Sequence, residues 1–94
     1  MEIFWTQTAE KNLDYIQEYI AADNPSAALQ TVLDIIRAVS LLQDHPAMGR
    51  VGRVFNTREL IISKTPYIVP YRVHHHRIEI LRVLHSSMRW PDYL

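Results

Sequence analysis

The sequence predicts an α+β domain of order β-α-α-β-β-β, a helical hairpin packed on a small, mainly antiparallel sheet. Apolar residues recur at helical spacing over two consecutive stretches between Ala9 and Leu42. Three short β-forming runs then follow one another, separated only by Thr65-Pro66 and by His74-His75-His76. Short turns between consecutive strands imply an antiparallel meander. Helices gathered on one face of such a sheet make a two-layer domain.

Ile3-Phe4-Trp5 is a short apolar run with β-forming aromatics, which places a first strand at about residues 2–6. Thr6 or Thr8 can cap the helix that follows. Glu10 falls in its first turn, where the helix dipole favours an acid. Ala9, Leu13, Ile16 and Ile20 form one face of an amphipathic helix over about residues 8–22, widened by Tyr15 and Tyr19. Asn24 is a good N-cap and Pro25 suits the first helical position, where a missing N–H costs nothing.

A second helix is expected from about 25 to 44, with Ala28, Leu29, Val32, Leu33, Ile35, Ile36, Val39 and Leu42 as its apolar set. That stripe is wider than a surface helix needs, so one side covers the sheet and another meets the first helix or a partner. Pro46 stops it. Residues 47–57 hold both glycines and read as a loop. Strands are expected at 58–63, 67–73 and 77–85. Pro70 falls inside the middle one and cannot donate to a ladder, so its side is unpaired there or a bulge intervenes. The last strand is apolar on both parities, which suggests a central position. Residues 86–94 read as a tail. Trp5 is expected in the core.

With 94 residues and 48% apolar content the chain is expected to form one domain over residues 1–94 with one core. It has no cysteine, which excludes disulfides and thiolate chemistry and fits a reducing compartment. No apolar run approaches the ~18 residues of a membrane helix. The N-terminus lacks the basic region of a signal peptide, and a cytoplasmic location is expected. Net charge is zero but lopsided: residues 1–46 carry two cations against seven acids, and residues 47–94 carry eight cations against three acids. Either the two halves attract each other, or the second half meets an anionic partner.

Several strings, taken in order, resemble those of one known family. Trp5-Thr6 followed by Ala9, Leu13, Ile16 and Tyr19-Ile20 is similar to its first strand and helix. Asp23-Asn24-Pro25-Ser26-Ala27-Ala28 resembles its inter-helix turn, and His45-Pro46-Ala47-Met48-Gly49-Arg50 with Gly52-Arg53 its loop. Thr57-Arg58-Glu59-Leu60, Pro66 to Val73 and Ile80 to His85 resemble its sheet. The chain thus resembles the RelE/ParE toxins of type II toxin–antitoxin systems, and the ParE-like branch in particular.

The resemblance implies a growth-inhibiting toxin neutralised by a co-expressed antitoxin, a DNA-binding protein whose C-terminal segment wraps the toxin. Leu13, Ile16, Ile20, Leu29 and Leu33 on the hairpin, with Trp90 in the tail, are the expected antitoxin contacts. The target is DNA gyrase in ParE-like members and the ribosome with its mRNA in RelE-like members. A third possibility is a partner subunit without toxicity that stabilises an antitoxin–operator complex. No cofactor is expected.

Cleaving RNA through the 2′-hydroxyl needs a base, an acid and positive charge at the phosphate. The RNase branch tends to carry an arginine shortly before the position of Tyr71. Here that stretch is Tyr67-Ile68-Val69-Pro70, without a cation, which favours the gyrase-directed mode. His85, whose imidazole can serve as acid or base, and Arg58 are the candidate catalytic residues. Arg50, Arg53, Arg58, Arg82 and Arg89 are the candidates for contacting a target or nucleic acid. His74-His75-His76 invites a metal, but neighbouring turn histidines point apart and no cysteine or acidic pair completes a site, so no metal site is expected.

Overall fold

The computed structural model describes all 94 residues. Strand β1 (Glu2–Trp5) leads into α1 (Gln7–Ala21) and α2 (Pro25–Ser40). The sheet continues with β2 (Arg50–Val51), β3 (Arg58–Ile61), β4 (Tyr67–His74), β5 (Arg77–Ile80) and β6 (Leu84–His85). Its order is β1-β5-β4-β3-β2, with β6 also on β4. All pairings are antiparallel except β1 with β5. The expected α+β hairpin-on-sheet architecture is therefore present, with six strands in a mixed sheet.

Local chemistry explains the helix starts. The Thr6 hydroxyl accepts a hydrogen bond from the Ala9 amide at 3.1 Å and donates to the Ile80 carbonyl at 2.8 Å, so one residue caps α1 and ties it to β5. Asn24 accepts from the Ala27 amide at 3.1 Å, and Pro25 follows as the first helical residue. The helices lie on the sheet face formed by Leu60, Ile62, Val69, Tyr71, Ile78 and Ile80. Ile35, Val39 and Leu42 close the core from above. Burying an Ile or Leu side chain fully contributes about 1.5–3 kcal/mol.

Three expected boundaries are corrected. The second helix does not run to residue 44: its α-helical part ends at Ser40 and tightens to a 3-10 turn at Leu41–Gln43. Pro46 disfavours helical geometry at His45, so the end is drawn in beforehand. The 47–57 loop contains a two-residue strand, because Arg50 and Val51 pair with Glu59 and Arg58. The strand expected at 77–85 is broken.

The break lies opposite Pro70. Tyr71 pairs with Ile80, whereas Ile68 pairs with Leu84. Two residues of β4 thus face three of the opposite strand, a bulge of one residue. The Pro70 carbonyl accepts from the Leu81 amide at 3.0 Å, on the side where proline offers no N–H. Of the two alternatives expected of this proline, the fold takes the bulge.

A further expectation fails. Residues Pro25–Gln43 are long and apolar enough, by length and composition, to cross a membrane. Here they form α2 and its 3-10 extension, with Ile35 and Val39 at 0% and 1% exposure.

Candidate functional site

Side-chain alternation turns Glu59 and Glu79 to the sheet face without helices, because Leu60, Ile62, Ile78 and Ile80 occupy the other. Both acids are buried, at 2% and 8% exposure, and each holds two arginines. Glu59 accepts from Arg50 at 2.9 Å, and from the Arg53 amide and Nε at 2.8 and 3.1 Å. Glu79 accepts from Arg72 at 2.7 Å and Arg77 at 2.9 Å. Burial pushes the Glu59 carboxyl up, but hydrogen bonds from the Arg53 backbone and side chain and from Arg50 outweigh it and hold the group below its ordinary value. For Glu79 the bonds from Arg72 and Arg77 dominate and also lower it. The acids aim the arginines: each guanidinium spends one edge inward and leaves the rest to solvent.

The loop before β3 is fastened from the helix side. The Tyr71 hydroxyl donates to the Pro46 carbonyl at 2.7 Å and accepts from the Gly49 amide at 2.9 Å. Burial pushes the Tyr71 phenol up, against the Gly49 bond and the nearby Arg58 charge. Arg58 donates to the Gly49 carbonyl at 2.7 Å and forms no ion pair. The tail returns to this loop, with the Arg53 guanidinium 3.6 Å from the centre of the Trp90 ring. Arg82 and Arg89 line a shallow depression with Trp90.

His85 opens on a different surface, a groove between α1 and β6. Asn12, Tyr15, Tyr19, Tyr67 and Met88 line it, and no charged residue does. The imidazole Nδ1 is 2.7 Å from the Ser87 hydroxyl, and the ring meets Tyr67 edge-on. Burial, and then the neighbouring Tyr19, push the Tyr67 phenol up.

A model of the ParE toxin of type II toxin–antitoxin systems (parDE) matches residues 3–90. The chain belongs to the ParE toxin family. It is 46% identical over 92 residues to the candidate toxin Y4kP of Sinorhizobium fredii, covering 98% of this chain and 95% of that one. Its structure is similar to a chain of the chromosomal ParDE toxin–antitoxin system from P. aeruginosa. The TM-score is 0.82 and the identity 34%, over 90% of this chain and 95% of the other.

This ParE-family chain distributes the residues singled out from the sequence over several surfaces. Arg58 pairs with Tyr71 and His85 with Tyr67, four positions apart on β4 and so about 13 Å along the strand. The two catalytic candidates are not brought together. Of the five arginines, Arg50 and Arg53 share Glu59, Arg58 grips backbone, and Arg82 and Arg89 lie by the tail. On the hairpin, Ile16 is 6% exposed and Leu13 and Ile20 pack against the core. Leu33 is half-buried and Leu29 is 57% exposed. Trp90 sits on Arg53, away from the hairpin. Sequence reasoning missed Leu41 and the acids that fix the arginines. Leu41, at the start of the 3-10 turn, is exposed, as are Leu29 and Ile36 on α2. The alternation of Glu59 with Leu60, and of Glu79 with Ile78 and Ile80, was the available signal. No cluster of metal-ligating side chains forms; the expected three-histidine turn is corrected to two residues, because His74 pairs with Arg77 at the end of β4 and only His75 and His76 form the β4–β5 turn.

Proposed function

We propose that this ParE-family toxin arrests growth by binding DNA gyrase, and that a cognate antitoxin neutralises it by laying an amphipathic C-terminal segment on the α1–α2 hairpin in the cytoplasm. The separation of His85 from Arg58, about 13 Å along β4, supports a binding mode over RNA cleavage. An RNase site needs an acid, a base and a cation around one phosphate, and the groove on which His85 opens carries no charge. Antitoxin docking is supported by the apolar residues that α2 and its 3-10 extension leave in solvent, Leu29, Ile36 and Leu41, with Tyr15 and Tyr19 on α1. Inducing the chain in growing cells, with and without the product of a neighbouring antitoxin gene, tests both parts. Arrest with relaxed plasmid DNA, reversed by the antitoxin, is expected. Arrest with shortened mRNA and normal supercoiling contradicts the gyrase target.

A further inference from the structure

A second concave surface lies at the corner where β3 begins and β4 ends. Arg53, Arg58 and Arg72 line it together with Phe55 and Asn56. No acid lines it, and the two carboxylates that hold Arg53 and Arg72 are buried behind them. Arg53 and Arg72 keep 48% and 45% of their side chains accessible. Phe55 is 95% exposed, more than any other large apolar residue of the chain.

The loop that carries Phe55 is closed on itself. The Gly52 amide donates to the Thr57 carbonyl at 2.8 Å, and the Thr57 hydroxyl donates to the Val54 carbonyl at 2.7 Å. A Cβ on Gly52 would stand 2.2 Å from the Thr57 hydroxyl, so only glycine lets the loop close this tightly. Asn56 takes the left-handed conformation, φ 62°, which asparagine tolerates. The ring is therefore held out in water by a compact turn, and little freedom is lost when something covers it.

We propose that this corner binds single-stranded nucleic acid, with Arg53 and Arg72 on phosphates and Phe55 stacked on an unpaired base. Guanidiniums recognise phosphate oxygens through paired donors. Bases stack on exposed aromatic rings whatever their sequence. A ring that protrudes suits a flat base, whereas an apolar peptide anchor would need a recess. The proposal goes beyond the gyrase reading and does not depend on it, since the binding belongs to the isolated chain.

Fluorescence anisotropy of the purified protein with labelled oligonucleotides of about twelve nucleotides, a length within the usual footprint range, tests it without gyrase or ribosomes. Single strands of DNA or RNA are expected to bind and a duplex more weakly, because its bases are already stacked. The logarithm of affinity should fall with the logarithm of salt at a slope of about −1.4, as two phosphate contacts on a single strand require. Phe55→Ala should weaken binding about 5- to 150-fold, the range for loss of one base–aromatic stack, and Phe55→Trp should retain it. Arg72→Gln should make the slope shallower by about 0.7. Circular dichroism checks that each variant is folded. Failure of every strand to bind at low salt, equal affinity of wild type and Phe55→Ala, or stronger binding of polyglutamate than of DNA and RNA would each overturn the proposal. The last outcome would mark an acidic-protein site instead.

Discussion

The Gly49 amide donates to the Tyr71 hydroxyl at 2.9 Å, and this bond fastens the 46–53 loop to the middle of the sheet. Gly49 has no room for a side chain: a Cβ there would lie 2.7 Å from the Tyr71 ring and 2.9 Å from the Glu59 carbonyl oxygen. Gly49→Ala should destabilise the fold by about 1–3 kcal/mol, the usual cost of overpacking. Tyr71→Phe should cost a similar ~1–3 kcal/mol, because it orphans the Gly49 amide and the Pro46 carbonyl at once. Urea unfolding of the two variants checks this, and wild-type midpoints would contradict it.

Acid should loosen the helix-free face. Glu59 and Glu79 both have carboxyl groups held below the ordinary value in the folded state. Groups shifted this way contribute stability above their unfolded value, about 4.3, and that contribution is lost as pH falls through the folded value. Wild-type stability should therefore decline below about pH 4.3. Glu79→Gln should be less stable at neutral pH, and the gap between the two should narrow as pH falls, because protonated Glu79 resembles the amide. Urea midpoints between pH 3 and 7 read this out. A gap that widens in acid contradicts it.

The β4–β5 turn should accept better residues. His75 and His76 have φ of 49° and 61°, the left-handed region that favours asparagine and glycine in two-residue hairpins. Replacing them together with Asn and Gly should stabilise the protein by about 1–2 kcal/mol. For a chain of this size that raises Tm by roughly 4–8 °C per kcal/mol. Calorimetry measures it, and an unchanged or lower Tm contradicts it.

Leu29 and Ile16 should separate docking from packing. Leu29→Glu changes a residue 57% exposed on α2, so it should leave the unfolding midpoint within about 0.5 kcal/mol while weakening antitoxin binding. Ile16→Ala removes a core side chain and should cost about 2–5 kcal/mol. Titration calorimetry with the antitoxin, beside urea unfolding, distinguishes them. Full antitoxin affinity in Leu29→Glu would remove α2 from the interface.

Much of this fold can be read from residues that act locally. Thr6, Asn24 and Pro25 start helices through their own side chains, and the spacing of Ala9, Leu13, Ile16 and Ile20 defines one face without outside help. The bulge at Pro70 was half legible, since proline announces a missing donor but not which neighbour absorbs it. The Arg50–Val51 strand was not legible, because it exists only against Glu59 and Arg58. The parallel pairing of β1 with β5 joins residues some 75 positions apart, which no turn signal records. The arginines were legible as charge but not as a site. Which of them are held depends on Glu59 and Glu79, and the burial of those acids follows from the sheet register.

The separation of His85 from Arg58 makes the sharpest functional claim, that this toxin acts by binding without chemistry. Supercoiling of relaxed plasmid by purified gyrase, titrated with wild-type protein and with His85→Ala, tests it most directly. Equal inhibition by both proteins is expected. Undiminished supercoiling at saturating toxin, or inhibition that disappears in a folded His85→Ala variant, would contradict it.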